Sequence, residues 1–189
     1  MNRKNITTKI VFLIFLSLLN FNLIHSQTNK ASIFGELFGA STTFGIHFDS
    51  RFNSETNWGG RLGVGFTESK SQDFFKSAPE RTRGWSFPIA VNYLLGKNGH
   101  YAEIGIGVSY GLYNCKYHDK VGHEIEESKS GSFGFLDLGY RYQRENGIVI
   151  RIGISPGVAL DMYDEDGITE HGVDHAAVVY PYISFGFNL

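Results

Sequence analysis

The stretch "EIGIGVSYGLY", Glu103 to Tyr113, decides how the chain reads. Side chains of a β-strand alternate between two faces, and here the alternation is almost complete. One face carries Ile104, Ile106, Val108, Tyr110 and Leu112. The other carries Glu103, Gly105, Gly107, Ser109 and Gly111. Glycine weakens a strand interior and has no side chain to pack. A strand that strips one face therefore clears room for something on that side.

Outward from this stretch, the two-residue period recurs and no 3.6-residue apolar period stands out. The pattern predicts about eight strands, over 32–40, 42–52, 57–67, 84–95, 100–113, 132–143, 148–160 and 176–189. Their connections alternate in length. "NSET" (53–56), "GKNG" (96–99) and "RENG" (144–147) are tight, whereas 68–83, 114–130 and 161–175 are long and polar. The short connection near Ala40 and Ser41 departs from this order. Tight turns at one end and long loops at the other are the arrangement of outer-membrane barrels.

Register ties the turns to the faces, because a one-residue slip sends every side chain to the other side. A loop at Glu145-Asn146-Gly147 pairs Tyr142 with Ile150, Tyr140 with Ile152 and Leu138 with Ile154. A turn at Lys97-Asn98 pairs Val91 with Ile104 and Asn92 with Glu103. A loop centred on Glu55 pairs Phe52 with Trp58 and Asp49 with Arg61.

Three features say which face meets what. The glycine-rich face also carries Glu36, Asp49, Arg51, Arg61, Glu103, Asp137, Arg141 and Arg151, with acids and arginines in balance. No lysine falls inside an expected strand, although a sheet face in water normally carries lysine. The apolar face ends in aromatics: Phe52, Trp58, Tyr93, Tyr140, Tyr142 and Phe187 near the tight turns, Trp85, Phe87 and Tyr110 near the long loops. Two aromatic belts around an aliphatic band mark a membrane barrel. The apolar face is therefore expected to meet lipid and the charged face to point inward. An interior of about eight strands is only wide enough for side chains to fill. The eight charges are expected to form a buried network that plugs the lumen, with the glycines making room for the arginines. Asp49–Arg61 and Glu103–Arg141 are the expected pairs. Phe34, Phe38, Tyr101 and Phe135 share the inward parity, and Pro88, Pro156 and Pro181 interrupt strands, as bulges at a rim would allow.

Residues 1–26 read as a secretory signal peptide, with basic Arg3, Lys4 and Lys9, an apolar run over 10–19 and a small residue at Ser26. The barrel occupies 27–189. A net charge of -2 gives no sign of a nucleic-acid partner, and the single Cys115 allows no intrachain disulfide.

"NYLLGKNGHYAEIGIGVSY" (92–110), "FGFLDLGYRYQRENGIVIRIGISPGVAL" (133–160) and the closing "YPYISFGFNL" together resemble small outer-membrane β-barrel proteins of Gram-negative bacteria. In architecture these are similar to the OmpA membrane domain and OmpX. The resemblance covers nearly the whole of 27–189. It implies location in the outer membrane, lipid and lipopolysaccharide as surroundings, a monomer, and insertion by the outer-membrane assembly machinery. That machinery reads a closing strand of the type Ile183, Phe185, Phe187; Leu189 stands where many such proteins end in phenylalanine. No defined activity and no cofactor are implied.

Other chemistries have weaker support in the residues. The acidic loop at 161–175 holds Asp164, Asp166 and Glu170, oxygen ligands of the kind that suit Ca²⁺ or Mg²⁺. Met162 occupies the first ligand position of an EF-hand-type spacing, so the loop is expected to be a solvated acidic segment. His171 and His175 are an i, i+4 pair without a helix to present them and His118 and His123 lie in another loop, so a zinc site from these four is the weaker alternative to solvated loops. A lipid A-modifying enzyme needs a nucleophile beside a base. His47 is the one histidine well inside a strand, with Asp49 near it and no serine evident at its level. A secreted soluble barrel would need the faces reversed around an apolar ligand. The leading expectation is a non-catalytic outer-membrane barrel with a filled lumen and a structural or surface-contact role.

Overall fold

A computed structural model of the chain describes residues 31–70, 81–118, 123–144, 147–163 and 177–189. The signal peptide, Asp164, Asp166, Glu170, His171 and His175 lie outside the described residues. Eight strands follow one another as β1 (Ala31–Phe38), β2 (Phe44–Arg51), β3 (Trp58–Lys70), β4 (Arg81–Lys97), β5 (His100–His118), β6 (Glu124–Gln143), β7 (Ile148–Tyr163) and β8 (Ala177–Asn188). Each pairs antiparallel with its neighbours in sequence, and β8 closes on β1. The result is an all-β, closed up-and-down barrel.

The alternation at 103–113 settles into the wall as its chemistry requires. Ile104, Ile106, Val108, Tyr110 and Leu112 point outward and are exposed, while Glu103 and Ser109 are buried inside. The first strand keeps the same phase: Ser32, Phe34 and Glu36 are buried, and Ile33 and Leu37 face out. Phe34 and Phe135 fill the lumen, whereas Phe38, at the end of β1, is half-exposed.

Two expected registers hold: Asp49 lies opposite Arg61, and Tyr142 opposite Ile150. The third is displaced by two residues. Val91 pairs with Ile106 and Tyr93 with Ile104, because the turn is Asn98-Gly99 between Lys97 and His100. Asn98 (φ 56°) and Gly99 (φ 83°) both have positive φ, the backbone of the Asn-Gly type I′ hairpin. A two-residue displacement keeps every side chain on its face.

Segments expected as loops turn out to be strand. His100–His118 and Glu124–Gln143 pair along their full lengths, including Lys116 with Glu126 and Tyr113 with Lys129. Lys70, Lys97, Lys116 and Lys129 therefore do lie in strands, towards their ends. The prolines do not sit in rim bulges. Each presents its missing N–H to a break in the ladder: Pro88 where β3–β4 pairing lapses, Pro156 where β6–β7 pairing lapses, Pro181 beyond the end of β1. The bulge in β6–β7 falls instead at Ser132/Phe133.

The connection between β1 and β2 is unlike the others. Gly39–Ser41 forms a single 3₁₀ turn whose residues are all buried. It folds down into the barrel mouth, where Ala40 packs with Ala90 and Phe135.

Gly99 and Gly134 allow a test of the backbone argument. A Cβ at Gly99 would need positive φ and would stand 3.0 Å from the Gln143 carbonyl; one at Gly134, on the outer face, would make only ordinary contacts with Leu160 from 3.5 Å. Gly99→Ala is expected to cost about 1–3 kcal/mol in reversible urea unfolding, and Gly134→Ala to stay within about 0.5 kcal/mol.

Candidate functional site

The lumen below the tucked turn brings all eight inward charges together, none more than 4% exposed. They alternate in sign along one chain of contacts. Arg51 donates to Asp49 at 2.6 Å, and Arg141 donates to the same oxygen at 2.9 Å. Arg141 lies 3.9 Å from Glu103. Arg151 donates from Nε and Nη2 to the two Glu103 oxygens at 2.8 and 2.9 Å, and from Nη1 to Glu36 at 2.8 Å. Glu36 in turn is 3.8 Å from Arg61, which donates to Asp137. A 3.9 Å approach of Arg151 to Asp137 closes the far end.

Of the two expected pairings, Asp49–Arg61 is replaced by others and Glu103–Arg141 is kept at 3.9 Å. Asp49 and Arg61 are neighbours in register, but Arg61 reaches across the lumen to Asp137 on β6. Glu103 takes Arg151 as its bidentate partner and Arg141 only at longer range. The physical reason is reach: in a closed barrel a guanidinium meets carboxylates from opposite walls, which strand-by-strand pairing does not foresee. Sequence reasoning also missed the neutral bridges. Asn92 donates to Asp49 at 2.6 Å and to Glu103 at 3.1 Å. Ser32 accepts from Arg141, Ser184 accepts from Arg151 and donates to Glu36, and Ser155 donates to Asp137. Their inward parity was the available signal.

The glycines serve a different purpose from the one expected. Among the described glycines, Gly59 alone has a position where a Cβ would run into an arginine, Arg51. At Gly107 it would meet the Phe135 ring, at Gly111 the Tyr113 ring, and at Gly139 and Gly153 the Tyr182 hydroxyl. Gly45 and Gly65 stand against Ser41 in the tucked turn. The bare face of β5 thus makes room mainly for aromatic rings. These rings also serve the charges: the Arg151 guanidinium lies 4.6 Å from the Phe34 ring centre and 4.9 Å from that of Tyr182, within cation–π range.

The tucked turn supplies a serine at the level of His47 after all. Ser41 Oγ lies 2.6 Å from His47 Nε2, and Glu36 Oε1 approaches the same nitrogen at 3.4 Å. A catalytic triad needs the acid on the opposite ring nitrogen, where it orients the base. His47 Nδ1 has no partner. Ser41, His47 and Glu36 are each at most 1% exposed, and the His47 ring stacks on Phe34 at 5.3 Å. The arrangement latches the turn to the barrel floor.

Above the turn the wall carries charges that are paired and solvated. Arg81 donates to Glu68 at 2.5 Å and Arg83 at 3.5 Å. The bond from Arg81 holds the Glu68 carboxyl below the usual carboxylate range. Lys116 donates to Glu124, which keeps the ammonium above its usual range. Among the described residues no group of three or more His, Cys, Asp and Glu side chains is placed to hold a metal ion.

The network makes a quantitative demand. Removing one partner of a buried ion pair leaves an uncompensated charge and typically costs ~3–5 kcal/mol. Glu103→Gln, which strips the charge facing Arg151, is expected to lower unfolding free energy by about 3 kcal/mol in urea titration. Glu68→Gln, at the solvated rim, is expected to leave the midpoint where it is.

No protein-family model matches the chain, and no curated protein matches it in sequence. Among solved structures it is similar to a major outer membrane protein from Thermus thermophilus, with a TM-score of 0.59 and 14% identity over 86% of this chain and 100% of the other. It also matches the N-terminal β-barrel domain of Pseudomonas aeruginosa OprF, with a TM-score of 0.49 and 12% identity over 85% and 96% of the two chains. Neisserial surface protein A matches with a TM-score of 0.46 and 8% identity over 85% and 94%. What likeness at this identity shows is the fold: the chain has the eight-stranded up-and-down barrel found in a known outer membrane protein.

Proposed function

We propose that this chain is a small outer-membrane barrel of a Gram-negative bacterium, led there by its N-terminal signal segment. Its lumen is closed by side chains and its role is structural or in surface contacts, without catalysis. The observation that carries this reading is the inverted distribution of side chains. Ile106 is 64% exposed on the outer wall while Arg141 and Arg151 are fully buried inside. Apolar residues face outward on every strand of the closed wall. A surface of that extent is far larger than monomers keep in water, but it matches a hydrocarbon layer. A soluble barrel with its apolar face around a ligand would need the opposite orientation of the same strands.

Further features support the reading. Trp58 and Phe52 sit at the tight-turn end of the outer face, and Trp85 and Phe87 towards the other. They are placed to serve as two interfacial belts. Ile183, Phe185 and Phe187 project outward from β8, as a strand read by the assembly machinery would present them. Lipid and lipopolysaccharide are then the immediate surroundings. A monomer is the reading that the closed ladder supports, since among the described residues only strand ends, those of β3, β6 and β8 among them, are paired on a single side.

The second reading, a lipid A-modifying enzyme, draws on the contact between Ser41 and His47. It is the weaker one, because both groups are sealed beneath the turn and Glu36 shares the nitrogen that Ser41 needs.

The folded chain is expected to partition with outer membranes, to require detergent for extraction and to migrate differently on gels before and after heating. In planar bilayers it is expected to give no large steady conductance. Recovery in the soluble fraction would contradict the membrane reading, and large conductance would contradict the closed lumen. A change in lipid A on overexpression that disappears in Ser41→Ala would favour the enzyme.

A further inference from the structure

The mouth of the barrel holds a cavity that the charge network does not use. It has a volume of about 840 Å³ and lies on the outer side of the tucked turn. That size is in the range of sites for small organic molecules. Phe133 and Ala40 line its inner part, and Tyr113, Tyr117, Tyr180 and Phe38 stand around it. Gly111 lets the Tyr113 ring lie back along β5, which widens the space above Ser109.

The hydroxyls of this cavity divide into two kinds. Thr42 and Thr67 bond to each other, and Thr82 lies 3.9 Å from Cys115 Sγ. Ser109 is different: it is 5% exposed, it lines the cavity, and its Oγ has no hydrogen-bond partner among the described residues. Buried polar groups are almost always satisfied. The charged groups at the cavity are paired within the protein, Glu68 with Arg81 and Arg83, Glu127 with Lys129. Two carboxylates against three cations leave this set within one charge of neutral, so the site offers a guest aromatic walls and a buried, unpartnered hydroxyl without a strong field of either sign.

We propose that this vestibule binds a small, neutral amphipathic molecule, its apolar body among the aromatic rings and one polar group hydrogen-bonded to Ser109. Among the described residues the wall is lowest on the side of β1 and β2. β1 and β2 have 8 residues each, against 19 in β5 and 20 in β6. Above them Thr67–Lys70 pairs only with β4, and Ala177–Pro181 only with β7. The turn itself forms the sill, with Phe38 held half-exposed at a positive φ of 62°.

Cys115, the one cysteine of the chain, lines the same cavity and serves as a reporter. N-phenyl-1-naphthylamine, neutral and amphipathic with one N–H donor, is titrated against the folded full-length barrel in phospholipid nanodiscs. Saturable fluorescence at one dye per barrel is expected above the linear partitioning of empty discs, together with slower alkylation of Cys115 by N-ethylmaleimide. Ser109→Ala is expected to weaken dye binding by about fivefold to tenfold. Ala159→Trp, which fills the cavity from β7, is expected to abolish it; Thr82→Phe does the same from β4 should the first variant fail to fold. Dye fluorescence that rises only with lipid, equal in wild type and in a folded filled-cavity variant, would overturn the proposal. Saturable binding unchanged in Ser109→Ala would overturn the assigned polar contact.

Discussion

Four arginines and four carboxylates share a space with almost no solvent, and the rest of the barrel depends on their mutual compensation. An isolated buried charge is prohibitively costly. Here each guanidinium has a carboxylate within 4.0 Å, and the chain runs Arg51, Asp49, Arg141, Glu103, Arg151, Glu36, Arg61, Asp137 with strict alternation of sign. Such pairs add little net stability over a well-packed apolar filling. What they add is specificity. The contributors sit on β1, β2, β3, β5, β6 and β7, so a one-residue slip in any of these ladders would turn a charge to the outer face and strand its partner inside. The network thereby fixes register around the ring.

Aromatic rings and small residues complete the filling. Phe34 and Tyr182 lie against Arg151, and Phe135 lies 5.8 Å from the Arg61 guanidinium. Bare positions at Gly107, Gly139 and Gly153 give these rings their places. The tucked turn Gly39–Ser41 then covers the network from the mouth side, latched by Ser41 to His47 and pinned to β3 by two hydrogen bonds between Thr43 and the Glu68 backbone. The molecule is layered along its axis: a closed polar floor, a small-residue lid, and an aromatic vestibule above it.

The sequence made the faces of the barrel legible because alternation is a local property. Reading Glu103 inward and Ile104 outward needs only neighbouring residues. Register was legible where the turn was compact and correctly centred, as around Glu55. It failed by two residues at the β4–β5 hairpin because Asn98-Gly99, rather than Lys97-Asn98, is the dipeptide suited to two positive-φ positions. The outer halves of β5 and β6 looked like loop because Lys116, Glu124, Glu127 and Lys129 are charged; paired strands above an apolar band have no need of apolar residues. The partners of the arginines and the descent of "GAS" into the lumen are properties of closure. They depend on residues far apart in the chain, such as Ser41 against Gly65 or Arg151 against Glu36, and no local pattern encodes them.

The central claim is that the polar interior and the apolar exterior face the media they resemble. Trp58 and Trp85, the two tryptophans of the chain, stand on the outer wall towards opposite ends, 51% and 54% exposed. Their fluorescence in bilayers of brominated phospholipids tests the claim directly. Bromines placed near the headgroups are predicted to quench both residues strongly, mid-chain bromines less so, and aqueous iodide hardly at all. Quenching by iodide with no effect of the brominated chains would contradict a lipid-facing apolar wall.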